Sequence, residues 1–104
     1  MIKINFYNDG LMVSGHADYA EHGKDIVCAG VSAIVLGSLN WFIDTSAEFE
    51  YDEGYVYLHI DTSNSKQVEY LMLLNKQLSA INHEPYNSFI SFKEHKTNLP
   101  KKGN

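Results

Sequence analysis

Between Ile26 and Ile43 apolar residues recur at helical spacing, Val27, Val31, Ile34, Val35, Leu39, Phe42 and Ile43 forming the longest such pattern in the chain. Asp25 is a good N-cap for this helix, placing Ile26 at its first position and Cys28 at its third. Asp44-Thr45-Ser46 ends it. Within the run Ala29, Gly30, Ala33 and Gly37 are small, and a mid-helix glycine costs about 1 kcal/mol relative to alanine. The return expected for two of them is close packing, against a sheet or against another copy of the helix. A helix this apolar has to be buried, so the rest of the chain must supply the layer that covers it.

The flanking segments read as that layer. Ile2, Ile4 and Phe6 alternate with Lys3, Asn5 and Tyr7, and Leu11 and Val13 alternate with Met12, Ser14 and His16, around the turn signal Asn8-Asp9-Gly10. A second hairpin follows the helix: Ala47 to Asp52 and Tyr55 to Asp61 around Asp52-Glu53-Gly54, with Val56, Leu58 and Ile60 facing the core. Ser63 or Ser65 then caps a second helix running to about Asn82, its stripe Val68, Leu71, Leu74 or Asn75, Leu78 and Ile81. His83-Glu84-Pro85 stops it, and Asn87 to Lys93 fits a last strand. The expectation is an α+β, two-layer domain: two β-hairpins, each followed by a helix, plus a final strand, with the helices packed on a mainly antiparallel sheet. One domain over residues 1–96 and a frayed, lysine-bearing, flexible tail over residues 97–104 complete it.

Charge narrows the function classes. Thirteen acids face eight bases, all of them lysine, and residues 1–92 hold four lysines against twelve acids, a net of −8. Such a body repels nucleic acid and attracts basic partners, and without arginine it lacks the usual bidentate contacts to phosphate and guanine. No run of eighteen apolar residues suggests a membrane span, and the alternating N-terminus lacks a signal peptide's apolar core. A single cysteine forms no internal disulfide, which fits a reducing cytoplasm.

Cys28 begins a helix and His16 ends a strand; the connection Ala17 to Lys24 is short enough to bring the two together. A helix N-terminus and an imidazole both favour thiolate, and the first-turn N–H groups, Ala29 among them, offer an oxyanion site. Asp25 could cap the helix, orient His16, or do both, with its carboxylate turned away from the thiol. Ser32, one turn later, lies near the sulfur. The connection is either a plain loop or a lid hinged at Gly23. The bland alternative is a small buried cysteine with no chemistry. His16, His22 and Cys28 could supply three metal ligands, but not at a standard zinc spacing. His59, His83 and His95 have no ligand partners at suitable spacing and read as surface. Tyr51, Tyr55, Tyr57 and Tyr86 are either plain surface or a platform for an aromatic peptide.

Ser14-Gly15-His16-Ala17, followed by Gly23, Asp25-Ile26-Val27-Cys28-Ala29-Gly30-Val31-Ser32-Ala33, resembles the signature of the ribosomal-processing cysteine protease (Prp) family. The likeness in length and element order extends over nearly the whole chain, and the Gly-His-Ala and Asp-Ile-Val-Cys-Ala pair at this spacing is specific. The resemblance implies a catalytic pair, His16 and Cys28, with Asp25 and Ser32 in support. His22 falls in a variable loop and is a weaker candidate for the base. It also implies a homodimeric endopeptidase without metal or organic cofactor. Its substrate would be the precursor of a basic protein, large-subunit ribosomal protein number twenty-seven, whose N-terminal extension ends in paired aromatics before a small residue. Neither direct nucleic-acid binding nor membrane attachment is implied, and nothing is implied for Lys93 to Asn104. Three rivals remain: a non-catalytic module that holds a peptide at a sheet edge, a hydrolase of small acyl substrates on the same dyad, and a structural dimer with an inert cysteine.

Overall fold

The computed structural model describes residues 1–21 and 23–100. Strands β1 (Ile2–Tyr7) and β2 (Gly10–Ser14) form the first hairpin, helix α1 spans Ile26–Leu39, β3 (Glu48–Asp52) and β4 (Tyr55–His59) form the second hairpin, α2 spans Ser65–Ser79, and β5 is Ile90–Glu94. The five strands make one sheet in the order β3-β4-β2-β1-β5. Three of its pairings are antiparallel and β5 runs parallel to β1, Ile2 opposite Ile90. Both helices cover one face, giving the two-layer α+β arrangement expected.

The alternation in the sequence decides which face that is. Ile4, Leu11, Leu58 and Ile60 are almost fully excluded from solvent, and α1 and α2 meet them with Val27, Val31, Val35 and Leu39 and with Leu71, Leu74 and Leu78. Burying each such side chain stabilises the fold by about 1.5–3 kcal/mol. The glycines of α1 are not used against the sheet: a Cβ on Gly30 or Gly37 would meet nothing within 4 Å. No helix among the described residues is long and apolar enough to cross a membrane.

Element ends differ from the sequence reading for identifiable reasons. Helix α1 stops at Leu39 and a 3₁₀ turn, Asn40–Phe42, buries Phe42 but leaves Ile43 54% exposed, because Asp44 takes a positive φ of 63° and turns the chain away. Asn64, not a serine, caps α2, its Oδ1 accepting from the Gln67 N–H at 3.2 Å. Ser63 is already committed, its N–H and hydroxyl both donating to Asp61 Oδ1. The buried Gln67 side chain then joins that corner to the second hairpin, accepting from the Asp61 N–H at 2.7 Å and donating to Ser46 Oγ at 2.9 Å. Helix α2 ends at Ser79 rather than Asn82, and a 3₁₀ turn at Tyr86–Phe89 takes the residues assigned to the start of the last strand.

The stretch after residue 96 also departs from expectation. Rather than fraying, Thr97 to Pro100 fold back on the first hairpin: the Asn8 N–H donates to the Thr97 carbonyl at 2.9 Å and the Leu99 N–H to Asp9 Oδ1 at 2.6 Å. Leu99 is buried, so an apolar side chain among the lysines holds the segment down. The other Asp9 oxygen lies 3.1 Å from His59 Nε2, and His95 Nε2 lies 2.9 Å from Asn5 Oδ1, so these two histidines are half-buried partners rather than plain surface. Lys101 to Asn104, the remainder of the expected tail, lie outside the described residues.

Candidate active site

Strand β2 ends where the site begins. Gly15 takes φ +88°, and a Cβ there would come within 2.5 Å of the Met1 carbonyl oxygen, so only glycine makes this turn without strain. Its N–H donates to the Gly54 carbonyl at 3.0 Å, fastening the end of β2 to the turn of the second hairpin. His16 follows, exposed, with its ring over that turn: a Cβ on Gly54 would sit 3.0 Å from His16 Nε2. Ala17 is buried and its backbone N–H points at Cys28, donating to Sγ at 3.2 Å. The strand end and the helix start are thus joined directly at the sulfur.

Asp25 organises the other side. Oδ1 accepts from the Val27 and Cys28 N–H groups, both at 3.0 Å, and Oδ2 from Tyr19 at 2.9 Å and Ala20 at 3.3 Å. One carboxylate caps α1 and clasps the preceding loop to it, with the acceptor sites a carboxylate offers all in use. Burial alone would push its pKa up; the four N–H donors outweigh burial and hold it below the usual carboxylate value. The Tyr19 ring packs edge-on against Phe89 and Tyr86, at 5.1 and 5.7 Å between centroids. The described part of the loop is therefore fastened at several points rather than loose. His22 lies outside the described residues, and Gly23 stands at the rim with φ +86° and open space where a side chain would be.

His16 and Cys28 line the same cavity, of about 530 Å³. Val31, Val35 and Val56 form its apolar wall, and Asp18, Asp52 and Glu53 stand on its rim. Ser32 and Ala29 lie exposed on the α1 wall. Three N–H groups at this helix start, Ala29 among them, already have protein acceptors. Val27 and Cys28 donate to the Asp25 side chain, and the Ala29 N–H donates to the Asp25 carbonyl at 3.0 Å. Asp25 is too good a cap to leave them vacant. Among the described residues no three His, Cys, Asp or Glu side chains converge as metal ligands.

Sequence reasoning missed the β3–β4 turn as a wall of the site, since strand order is not written in alternation; Tyr55, read as surface or platform, lines the cavity there. It also missed the Ala17 N–H, because a backbone donor has no residue-type signature.

Residues 1–91 match the family model for the cysteine protease Prp. The chain belongs to the Prp family. It is 36% identical over 96 residues to the ribosomal processing cysteine protease Prp of Mycoplasma pneumoniae, covering 90% of this chain and 95% of that one. It is 35% identical over 85 residues to Prp of Staphylococcus aureus, covering 77% and 80% of the two chains. The crystal structure of S. aureus Prp with a covalently linked product peptide superposes with a TM-score of 0.81 at 33% identity, over 91% of this chain and all of that one. The same enzyme with a substrate peptide gives 0.76 at 32% identity over the same 91% of this chain. The Prp fold and the cysteine-protease class are therefore those of this chain, and its relatives act in ribosomal processing.

Proposed function

We propose that this Prp removes the N-terminal extension from the precursor of large-subunit ribosomal protein number twenty-seven, with Cys28 as nucleophile and His16 as general base and acid. The observation that carries the reading is that the strand end bearing His16 and the helix start bearing Cys28 open on one cavity, joined by the Ala17 N–H bond to the sulfur. A covalently linked product peptide in the S. aureus enzyme is what such nucleophilic catalysis can leave behind.

The steps follow from the groups in place. The His16 ring takes the thiol proton as Sγ attacks the scissile carbonyl carbon, whose π electrons move to oxygen. The intermediate collapses, the C–N bond breaks, and the imidazolium gives its proton to the leaving amine. Water, deprotonated by the same ring, then cleaves the thioester and restores the thiol. Asp25 is a positioning residue, holding loop and helix together around the sulfur. The apolar wall suits the aromatic end of the extension, and the acidic rim and acidic body suit a basic precursor. Catalysis needs no metal or organic cofactor in this scheme. The setting is the cytoplasm, where the thiol stays reduced and the precursor is made. The enzyme works as a homodimer; the small exposed face of α1, with Gly30 and Gly37 unused inside the chain, supports pairing there.

The test is cleavage of the extended ribosomal protein. Cys28→Ala should abolish it, and His16→Ala should lower kcat by about 10²–10⁴-fold, the usual worth of a positioned acid–base group. Turnover by Cys28→Ala equal to wild type would end the proposal.

A further inference from the structure

We infer that the backbone N–H of Ala17 is the oxyanion donor of this protease, a reading that rests on Cys28 as the nucleophile. A cysteine protease needs at least one donor aimed at the carbonyl oxygen as it becomes charged. The N–H groups of Val27, Cys28 and Ala29, the usual source around a nucleophile at a helix start, are taken: Val27 and Cys28 donate to Asp25 Oδ1 and Ala29 to the Asp25 carbonyl. Among the described residues the Ala17 N–H is a backbone donor that faces the sulfur, at 3.2 Å. Among the described residues its partner is Sγ, a weak acceptor. When Sγ bonds to the substrate carbon, the new oxyanion sits two bonds from the sulfur, within reach of that N–H, and is by far the stronger acceptor. The bond should transfer from sulfur to oxygen as charge develops, so it strengthens in the transition state rather than in the ground state.

The position is rigid, as an oxyanion donor must be. The Ala17 methyl is buried, Gly15 is locked to the Gly54 carbonyl two residues earlier, and Tyr19 and Ala20 are tied to Asp25 just after. Asp25 therefore does two things at once: it removes the helix N–H groups from the reaction and fixes the loop that supplies another.

Cys28 itself permits the test, because a synthetic segment 1–27 joined to 28–104 by ligation at that cysteine restores the whole native chain. An ester in place of the His16–Ala17 amide deletes this N–H and little else. Relative to the all-amide ligated chain, kcat on the extended ribosomal protein should fall by about 10²–10³-fold with KM little changed. Affinity for a peptide aldehyde, which forms a tetrahedral hemithioacetal with the thiol and places its oxygen where the oxyanion would lie, should fall with kcat. A kcat within about threefold of the control would overturn the inference, and so would a loss no larger than the loss of thiolate measured by alkylation rate against pH. Should the ester chain not fold, the unmodified ¹⁵N-labelled protein decides: the Ala17 amide proton moves downfield and becomes protected from exchange in the aldehyde adduct, and an unmoved signal refutes the assignment. Failure of the Cys28 reading looks different, since Cys28→Ala would then cleave the substrate as fast as the control.

Discussion

Replacing Asp25 by alanine removes one side chain and four hydrogen bonds. The two inside α1 are the helix cap, worth about 0.5–2 kcal/mol. The two to Tyr19 and Ala20 are only part-buried, so water can take over, and each is worth about 1 kcal/mol net. The variant should lose about 3 kcal/mol, a large part of the roughly 5–15 kcal/mol that holds a domain together. In thermal unfolding that is a fall of about 12–24 °C, at about 4–8 °C per kcal/mol for a domain near this size. Asp25→Asn separates the two roles. Its amide oxygen can keep Val27 and Cys28, while its NH₂ faces the Tyr19 and Ala20 donors; it should lose about 1–2 kcal/mol and expose those two N–H groups to exchange. The pH dependence has a fixed sign. The folded carboxyl titrates below its ordinary value of 3.8, so its stabilisation is complete above that value and is lost as pH falls through the folded one. The gap between wild type and Asp25→Asn should stay constant from neutral pH down to about 4 and close below it. Urea unfolding at several pH values measures both. An Asp25→Ala variant within about 0.5 kcal/mol of wild type at pH 7, or a gap that widens in acid, would refute the reasoning.

Gly54→Ala puts a methyl 3.0 Å from His16 Nε2 at a φ of +70°, so it should cost about 1–2 kcal/mol of stability and lower cleavage more severely, by about ten- to a hundredfold, because the ring must move. Steady-state kinetics beside a melting curve shows whether activity falls further than stability. Leu99→Ala should destabilise by about 2 kcal/mol, near the low end for a buried leucine, and calorimetry finding no change would mean that Thr97 to Pro100 do not dock. Adding a bulky side chain at Gly30 or Gly37, where the chain itself leaves room, should leave the fold intact and lower the fraction of the proposed homodimer in sedimentation.

Much of this fold could be read directly. Alternation at Ile2-Ile4-Phe6 and Val56-Leu58-Ile60 fixed which side chains are buried, and Asp25 marked the start of α1 because a cap is a local event with a local signature. What escaped was set by partners distant in sequence. Ser63 and Asn64 are equally good caps in isolation, and the choice rests on Asp61 occupying the serine. The docking of Leu99 depends on Asp9, ninety positions away. The same holds at the site. That His16, Asp25, Cys28 and Ser32 share one cavity was legible from residue type and spacing, whereas the Gly54 wall depends on β4 pairing with β2. The occupation of the first-turn N–H groups, though local, needed side-chain geometry to see.

The parallel register of β1 with β5 has a consequence for how the molecule forms. The groups that line the cavity all lie at or before residue 56, and the pairings among their strands, β2 with β4 included, need nothing beyond residue 59, so they can assemble before β5 is made. Strand β1, in contrast, must wait for residue 90 to meet residue 2, the kind of long-range pairing that slows folding most. On a ribosome synthesising this chain, the cavity-lining elements emerge well before the strand that closes the sheet beside them. Until β5 arrives, β1 is an open edge of the sheet, and such a nascent chain is most prone to stray pairing in that interval.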